Sequence, residues 1–282
     1  MELLWSPELN LALQRALGED VLPLVRLWSA LADVWGLMVV LGVVLVRRGL
    51  LAAYAVLFAV LAAACLNTPL VFALAVDRPA ADGLNVLEEL DIPSFPSGHV
   101  AAAGALWTTV ARRRWLPWWV CGSAIALAAL SRVVLGVHTV ADVLAGAVVG
   151  VVAALAVAAA WPRAEPLWDR SWAIPVRRWA PLAFVGVGLF ITVLGRSPKV
   201  WESAGAAVAA GVGLAVHGWR SADPPDDPPA GARTVLVVLA GVAPLWALAT
   251  LGPGWSAPVQ AGFTCVAGLW AVLVAPRWLR HR

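Results

Sequence analysis

Hydrophobic residues form long, almost uninterrupted runs along this chain, and short charged or proline-containing segments separate the runs. Several runs approach the ~20 apolar residues that an α-helix needs to cross a bilayer. The pattern predicts an all-α protein, a polytopic transmembrane helical bundle. We expect nine spans, near residues 30–46, 50–76, 98–112, 115–133, 138–160, 180–195, 203–219, 234–251 and 256–275.

Composition supports this class, since 61% of the 282 residues are hydrophobic, only 13% are charged and the mean hydropathy is +0.83. These values are far from those of an average soluble domain. Residues 1–27 differ from the rest, because acidic residues and spaced leucines there are typical of a short interfacial helix. We expect the protein to lie in a prokaryotic plasma membrane, with the bilayer as a partner and no nucleic acid. Its oligomeric state stays open.

Arginines mark one end of alternate predicted spans, as at Arg47-Arg48 and Arg112–Arg114. Cytoplasmic loops of membrane proteins carry an excess of basic residues. We therefore predict that this side and the C-terminus are cytoplasmic, and that the N-terminus is outside. The acidic loop at 80–91 and the loop at 131–136 then fall on the outer side.

A polar cluster interrupts the apolar pattern at residues 131–142, where Ser131, Arg132, His138 and Asp142 occur. Ionisable groups at membrane depth are expensive and usually serve a function. If residues 138–142 are helical, His138 and Asp142 lie on one face, and the carboxylate can accept the imidazole N–H. A histidine oriented in this way is prepared to act as a nucleophile or a base.

A second polar segment, PSFPSGH at residues 93–99, has the signals of a helix start. Pro96 ends any preceding helix, Ser97 is a good N-cap, and Gly98 lets the backbone approach a ligand closely. Free N–H groups and the positive dipole end of such a helix attract an anion. The segment therefore predicts a phosphate cradle, with His99 at its rim to give or take a proton.

Two histidines and two arginines, Arg78 and Arg132, converge on the predicted outer face, and this set suggests phosphoryl transfer through a phosphohistidine. His138 would attack phosphorus, and His99 would protonate the leaving oxygen and then activate water. The arginines would clamp the phosphate with bidentate hydrogen bonds. No metal and no cofactor is expected, because the pair lacks a third metal ligand nearby.

The two motifs, Pro96-Ser97-Gly98-His99 and Ser131-Arg132 followed by His138 and Asp142, resemble the type 2 phosphatidic acid phosphatase (PAP2) superfamily over residues 28–196. The resemblance implies a PAP2-like six-helix catalytic core at 28–196, after the segment 1–27, with about three extra spans in a C-terminal extension at 197–282. It also implies site roles: catalytic His138, His99 and Asp142, and phosphate-binding Arg78, Ser97, Gly98, Ser131 and Arg132.

The first family motif departs from its usual pattern, because Val71 stands where a lysine normally precedes Arg78-Pro79. A lost phosphate-binding cation could cost a few kcal/mol of transition-state stabilisation. An altered substrate preference, a weak enzyme and another cation in its place all stay open. Lys199 is the only lysine in the chain.

The resulting expectation is a membrane phosphatase that hydrolyses a lipid phosphate or polyprenyl diphosphate at the non-cytoplasmic face. The nine-span layout is similar to that of glucose-6-phosphatase, so a soluble phosphate ester is an alternative substrate; a weak or inactive homologue that binds or transports a phospholipid is another. Structural roles are expected for the remaining polar residues: Asp33, His217 and His281, with Glu88, Glu89 and Asp91 in a solvated loop.

Overall fold

The structure is a computed structural model that describes residues 2–31, 33–88, 92–164, 231–251 and 255–280, with isolated positions between 205 and 216. Several sequence predictions lie outside the described residues: the span at 180–195, most of the span at 203–219, and the residues Glu89, Asp91, Lys199, His217 and His281.

Every regular element in the described part of the chain is helical, which confirms the all-α prediction. The N-terminal helices are α1 (Glu2–Trp5), α2 (Glu8–Leu17), a 3-10 turn (Glu19–Val21), α3 (Leu22–Leu31), α4 (Val34–Arg48), α5 (Leu50–Leu74), α6 (Gly98–Arg112), α7 (Trp118–Val134) and α8 (Val140–Ala164). The C-terminal helices are α9 (Gly231–Leu251), α10 (Ala257–Leu269), a π-helical turn (Trp270–Val274) and α11 (Ala275–Arg280).

Three of these helices are long and apolar enough to cross a membrane, at Leu50–Leu74, Val140–Arg163 and Gly231–Ala249, and a fourth span arises if α3 and α4 form one broken span. The span predicted at 30–46 overlaps this pair: the chain turns at Asp33, whose N–H donates to the Ala30 carbonyl at 3.2 Å, and α4 begins at Val34. Its start near residue 30 stays a prediction. The count of nine stays a prediction.

The chain divides by internal contacts into two compact units. The first consists of Met1–Asp33 and Ala55–Ala160, and the second of Val34–Tyr54 and Trp161–Arg282. Every candidate site residue belongs to the first unit. The domain limits predicted from the sequence, at residues 27 and 196, stay a prediction.

Small residues form the core of the first unit, where α5, α6 and α8 meet. Gly146 and Gly150 lie one turn apart on α8, and a Cβ atom at these positions would collide with the carbonyl oxygens of Ser97 and Ala101 on α6. Such spacing of small residues lets helix backbones approach closely. It fixes the first turn of α6 against the first turns of α8. The fully buried alanines of this core are Ala59, Ala63, Ala101, Ala105, Ala153 and Ala154.

Helix α2 caps the C-terminal end of α7. The last carbonyls of a helix have no partner within it and must find donors elsewhere. Asn10, fully buried, donates from Nδ2 to the carbonyls of Val133 and His138, both at 2.9 Å. Gln14, one turn further along α2, donates to the Val134 carbonyl at 2.8 Å. The N-terminal segment thus contacts the connection between α7 and α8 directly.

In the second unit, α4 and α9 pack with α10 and the π-helical turn, also through small residues. A Cβ atom on Gly42 would lie 2.8 Å from the Ala271 carbonyl oxygen. The Trp270 Nε1–H donates to the Val237 carbonyl at 3.0 Å, which ties the π-helical turn to α9.

Candidate active site

His138 and Asp142 lie next to each other at the start of α8, although not by the predicted route. The helix begins at Val140, so His138 precedes it, and the condition that residues 138–142 are all helical is not met. Thr139 and Asp142 form a reciprocal cap instead: the Thr139 N–H donates to Asp142 Oδ2 at 2.8 Å, and the Asp142 N–H donates to Thr139 Oγ1 at 3.4 Å. The cap leaves Oδ2 3.5 Å from His138 Nδ1, at the outer limit of a hydrogen bond.

The environment of His138 favours its neutral form. The side chain is 3% exposed, and burial lowers its pKa below the ordinary value of 6.5. The contact with Asp142 raises the pKa, while the positive charges of Arg132 and Arg78 lower it further. The net direction is downward, so the imidazole keeps a free lone pair at neutral pH.

The connection that carries His138 is fixed on several sides. Besides the bonds from α2, the Leu87 N–H donates to the Leu135 carbonyl at 3.0 Å. Arg78 Nη1 donates to the Val137 carbonyl at 2.7 Å. Since these carbonyls all have donors from other segments, the backbone around His138 is preorganised.

The predicted phosphate cradle starts where the sequence indicated. Ser97 is the N-cap of α6, which begins at Gly98, and the Ser97 N–H donates to the Asp142 carbonyl at 3.0 Å. The Ser97 hydroxyl makes no capping bond; it is buried and has no hydrogen-bond partner in the described part of the chain. A Cβ atom on Gly98 would touch only Asn67, at an ordinary 3.6 Å, so the described residues do not require glycine there.

His99 faces a carboxylate that the sequence analysis treated as structural. Its Nε2 lies 3.5 Å from Oδ2 of Asp33, and both side chains are largely buried. Asp33 lies two residues after the end of α3, in a turn far from the two motifs in sequence. The site therefore contains a second histidine–aspartate pair.

Arg132 is the most deeply buried cation of the site, with 1% of its side chain exposed. Its Nη1 donates to Glu88 Oε2 at 2.7 Å and to Ser29 Oγ at 2.9 Å. Its Nε and Nη2 are buried and have no hydrogen-bond partner among the described residues. The expectation that Glu88 belongs to a solvated loop was wrong, because the carboxylate is paired with this arginine.

Arg78 uses three of its donors on backbone carbonyls. Besides the bond to Val137, Nε donates to Ile92 at 2.9 Å and Nη2 to Pro93 at 3.4 Å. Burial lowers its pKa to about 10, with a further contribution from Arg132, so the guanidinium stays positive at neutral pH. Its charge remains near the site, and its role as a phosphate ligand stays a prediction.

Ser131 and Val71 are buried and bring no charge to the site. The buried Ser131 hydroxyl donates to the Ala128 carbonyl at 2.7 Å, within its own helix α7. Its role in binding phosphate stays a prediction. Val71, at the position of the family lysine, is 6% exposed and lies one turn after Asn67 on α5.

Asn67 is a polar residue of the site that sequence reasoning missed. It is 4% exposed within α5, and its Nδ2 donates to the Pro96 carbonyl at 3.2 Å, which ties α5 to the cradle. Its Oδ1 has no hydrogen-bond partner in the described residues. An asparagine inside an apolar span was a usable signal, since polar groups at membrane depth need a reason.

The chain is similar to known proteins in two comparisons. Residues 52–166 match the model of the PAP2 superfamily. Among solved structures, the chain is similar to the "first transmembrane PAP2 type phosphatidylglycerolphosphate phosphatase from Bacillus subtilis", with 21% sequence identity, a TM-score of 0.45 and coverage of 55% of this chain and 86% of that chain. No match was found among curated proteins. The matched segment therefore holds all the site residues predicted from the sequence, from Arg78 to Asp142, whereas Asp33 lies outside it.

Proposed function

We propose that the protein is an integral membrane phosphatase that hydrolyses a lipid phosphate or polyprenyl diphosphate at the non-cytoplasmic face. The observation that carries the proposal is the buried His138, whose Nδ1 lies 3.5 Å from Asp142 Oδ2, on the connection that follows the buried Arg132 at the end of α7. A nucleophile beside a fixed cation is the arrangement that phosphoryl transfer needs. The match of residues 52–166 to the PAP2 superfamily supports the same reaction class.

In the first step, His138 attacks phosphorus. Its Nδ1 is turned toward Asp142, so Nε2 is the attacking atom and forms the new N–P bond. The bond between phosphorus and the leaving oxygen breaks, and His99 donates a proton to that oxygen. Asp142 stabilises the positive charge that develops on the imidazole.

In the second step, water attacks the phosphohistidine. His99, now neutral, accepts a proton from the water as the N–P bond breaks, and inorganic phosphate and free His138 are regenerated. In both steps the phosphate oxygens carry negative charge, which Arg132, Arg78 and the first N–H groups of α6 stabilise. The Ser97 hydroxyl, which has no hydrogen-bond partner among the described residues, is a further donor for these oxygens.

The lipid preference rests on where the site lies. His138 lies two residues before the apolar helix α8, and the cradle is the N-terminal end of α6. A site at the ends of membrane helices suits a headgroup phosphate whose tail stays in the bilayer. Hydrolysis of a soluble phosphate ester is the alternative within the enzyme class.

A second candidate function follows from Val71. This apolar, buried side chain stands where the family has a cation, so a weakly active or inactive homologue that binds or transports a phospholipid is the alternative from another class. Turnover separates the two, because a binder keeps its lipid affinity without releasing phosphate.

The test is phosphate release by the purified protein in detergent with EDTA present. The substrates are phosphatidic acid, undecaprenyl diphosphate and glucose 6-phosphate, and the variants are His138→Ala and, as an exposed control, Arg15→Ala. Release that survives the chelator, persists in the control and disappears in His138→Ala supports the proposal. If the wild type is silent on all three substrates, activity gained by Val71→Lys supports a core weakened at one position, and continued silence supports a binder.

A further inference from the structure

Glu88 and Ser29 hold one end of the Arg132 guanidinium. We propose that they are positioning residues for phosphate binding: by engaging Nη1 of Arg132, they present its opposite edge, Nε and Nη2, to the phosphate. The inference deepens the proposed function and rests on it. Ser29 lies outside the segment that matches the PAP2 superfamily, and neither residue belongs to the two sequence motifs.

The hydrogen-bond count of Arg132 points to this division of roles. Nη1 carries two N–H groups, and its two acceptors, at 2.7 and 2.9 Å, engage both. Nε and Nη2 carry three more, which are buried and have no acceptor among the described residues. Buried polar groups are nearly always hydrogen-bonded. The unpartnered edge is therefore where an external acceptor binds.

That edge has the geometry for an oxyanion. The Nε–H and one Nη2–H of a guanidinium are parallel, and they match two oxygens of a phosphate in a bidentate pair. Such a pair is specific only if the guanidinium keeps its orientation. Engaging Nη1 from two sides removes the rotation that would turn the edge away.

Glu88 is itself held in place by the segment that precedes it. The neighbouring Leu87 N–H donates to the Leu135 carbonyl, and Asn85 pairs with Gln14 through both its N–H, at 3.1 Å, and its carbonyl, at 2.8 Å. The carboxylate is thus attached to the same α7–α8 connection that carries His138.

Charge and positioning make opposite predictions for the loss of Glu88. A carboxylate beside Arg132 reduces the attraction of the site for an anion, so charge alone predicts tighter phosphate binding when Glu88 is removed. Loss of positioning predicts weaker binding, by about 10-fold, the size of one charge-assisted hydrogen bond. The sign of the change therefore tests the inference.

The experiment is calorimetric titration of the full-length protein in detergent with inorganic phosphate. Glu88→Ala is expected to bind phosphate about 10-fold more weakly than the wild type, and Ser29→Ala several-fold more weakly, with kcat/KM reduced in parallel. Asp82→Ala, which removes an exposed carboxylate from the same loop, is the matched control and should bind as the wild type does. Unchanged or tighter binding by Glu88→Ala would overturn the inference.

Two further variants keep the test decisive if Glu88→Ala does not fold. Glu88→Gln keeps an acceptor for Nη1 and loses the charge, so binding at least as tight as that of the wild type is expected. Binding as weak as that expected of Glu88→Ala would overturn the inference. Arg132→Lys has no Nε–Nη2 edge. In that background the effect of Ser29→Ala, which changes no charge, should vanish, and an undiminished effect would overturn the inference.

The same data separate this inference from the proposed function. If the variants change phosphate affinity as expected while no substrate is hydrolysed, the site binds phosphate and the phosphatase proposal fails. If substrates are hydrolysed through His138 but removal of Glu88 leaves phosphate affinity unchanged, only the positioning role fails.

Discussion

Replacing Asn10 by alanine is expected to destabilise the first unit and to slow turnover. Its Nδ2 makes two buried bonds of 2.9 Å, to the carbonyls of Val133 and His138. Leaving a buried acceptor without its donor costs about 1–3 kcal/mol. The Val133 carbonyl retains a second donor, the Gly136 N–H at 3.0 Å, so the lower end of that range applies to it. The total loss is about 2–4 kcal/mol.

The assay is thermal unfolding in detergent followed by tryptophan fluorescence, with phosphate release measured on the same samples. For a chain of this length, a loss of that size lowers the midpoint by roughly 5–15 °C. Asn10→Asp has nearly the same shape but directs an oxygen at the two carbonyls, so it should be at least as destabilising as the alanine variant when ionised.

Arg15→Ala is the control, because this side chain lies on the same helix α2 and is exposed. Its midpoint and turnover should stay close to those of the wild type. If Asn10→Ala had the same unfolding midpoint as Arg15→Ala and kept full turnover, the two hydrogen bonds would not hold the connection that carries His138. That result would refute the reasoning.

Three further predictions concern packing, the second histidine and pH. Gly150→Ala should lower the unfolding midpoint, because the new Cβ atom would collide with the α6 backbone. Gly122→Ala is the control, since a Cβ atom there has nothing within 4 Å, and equal midpoints for the two variants would contradict the close packing. Asp33→Asn should lower kcat several-fold with little change in KM, since the carboxylate lies 3.5 Å from His99 Nε2, and unchanged steady-state kinetics would count against a role. Burial lowers the pKa of His138, so protonation of this residue should reduce kcat/KM only below pH 6.5. If the fall of kcat/KM on the acid side were assigned to His138 with a pKa above 6.5, this prediction would be contradicted.

Local signals in the sequence predicted the parts of the site that depend on neighbouring residues. Pro96 and Ser97 indicate a helix start, and the structure begins α6 at Gly98. His138 and Asp142 were expected to meet because they are four residues apart. They do lie close together, but through a cap with Thr139, whose hydroxyl and spacing to Asp142 were a readable signal that the sequence analysis did not use.

Contacts between residues far apart in the chain could not be predicted in the same way. Glu88 and Arg132 are separated by 44 residues, and nothing in the acidic loop distinguishes this glutamate from its neighbours. Asp33 and His99 meet only because α3 and α6 belong to the same unit. Such pairs depend on how the helices pack, which periodicity and capping signals do not determine.

The bond between Asn10 and the His138 carbonyl joins residues 128 positions apart, and this separation has a consequence for the order of synthesis. Helix α2 is made before its partners on the α7–α8 connection, and His138 follows Asn10 by 128 residues. At about 5–20 residues per second, α2 waits roughly 6–26 s with its amide side chains unpartnered. During that interval an amphipathic helix is stable at the surface of the bilayer. The interfacial character read from residues 1–27 therefore suits the nascent chain, and the docked helix suits the finished protein.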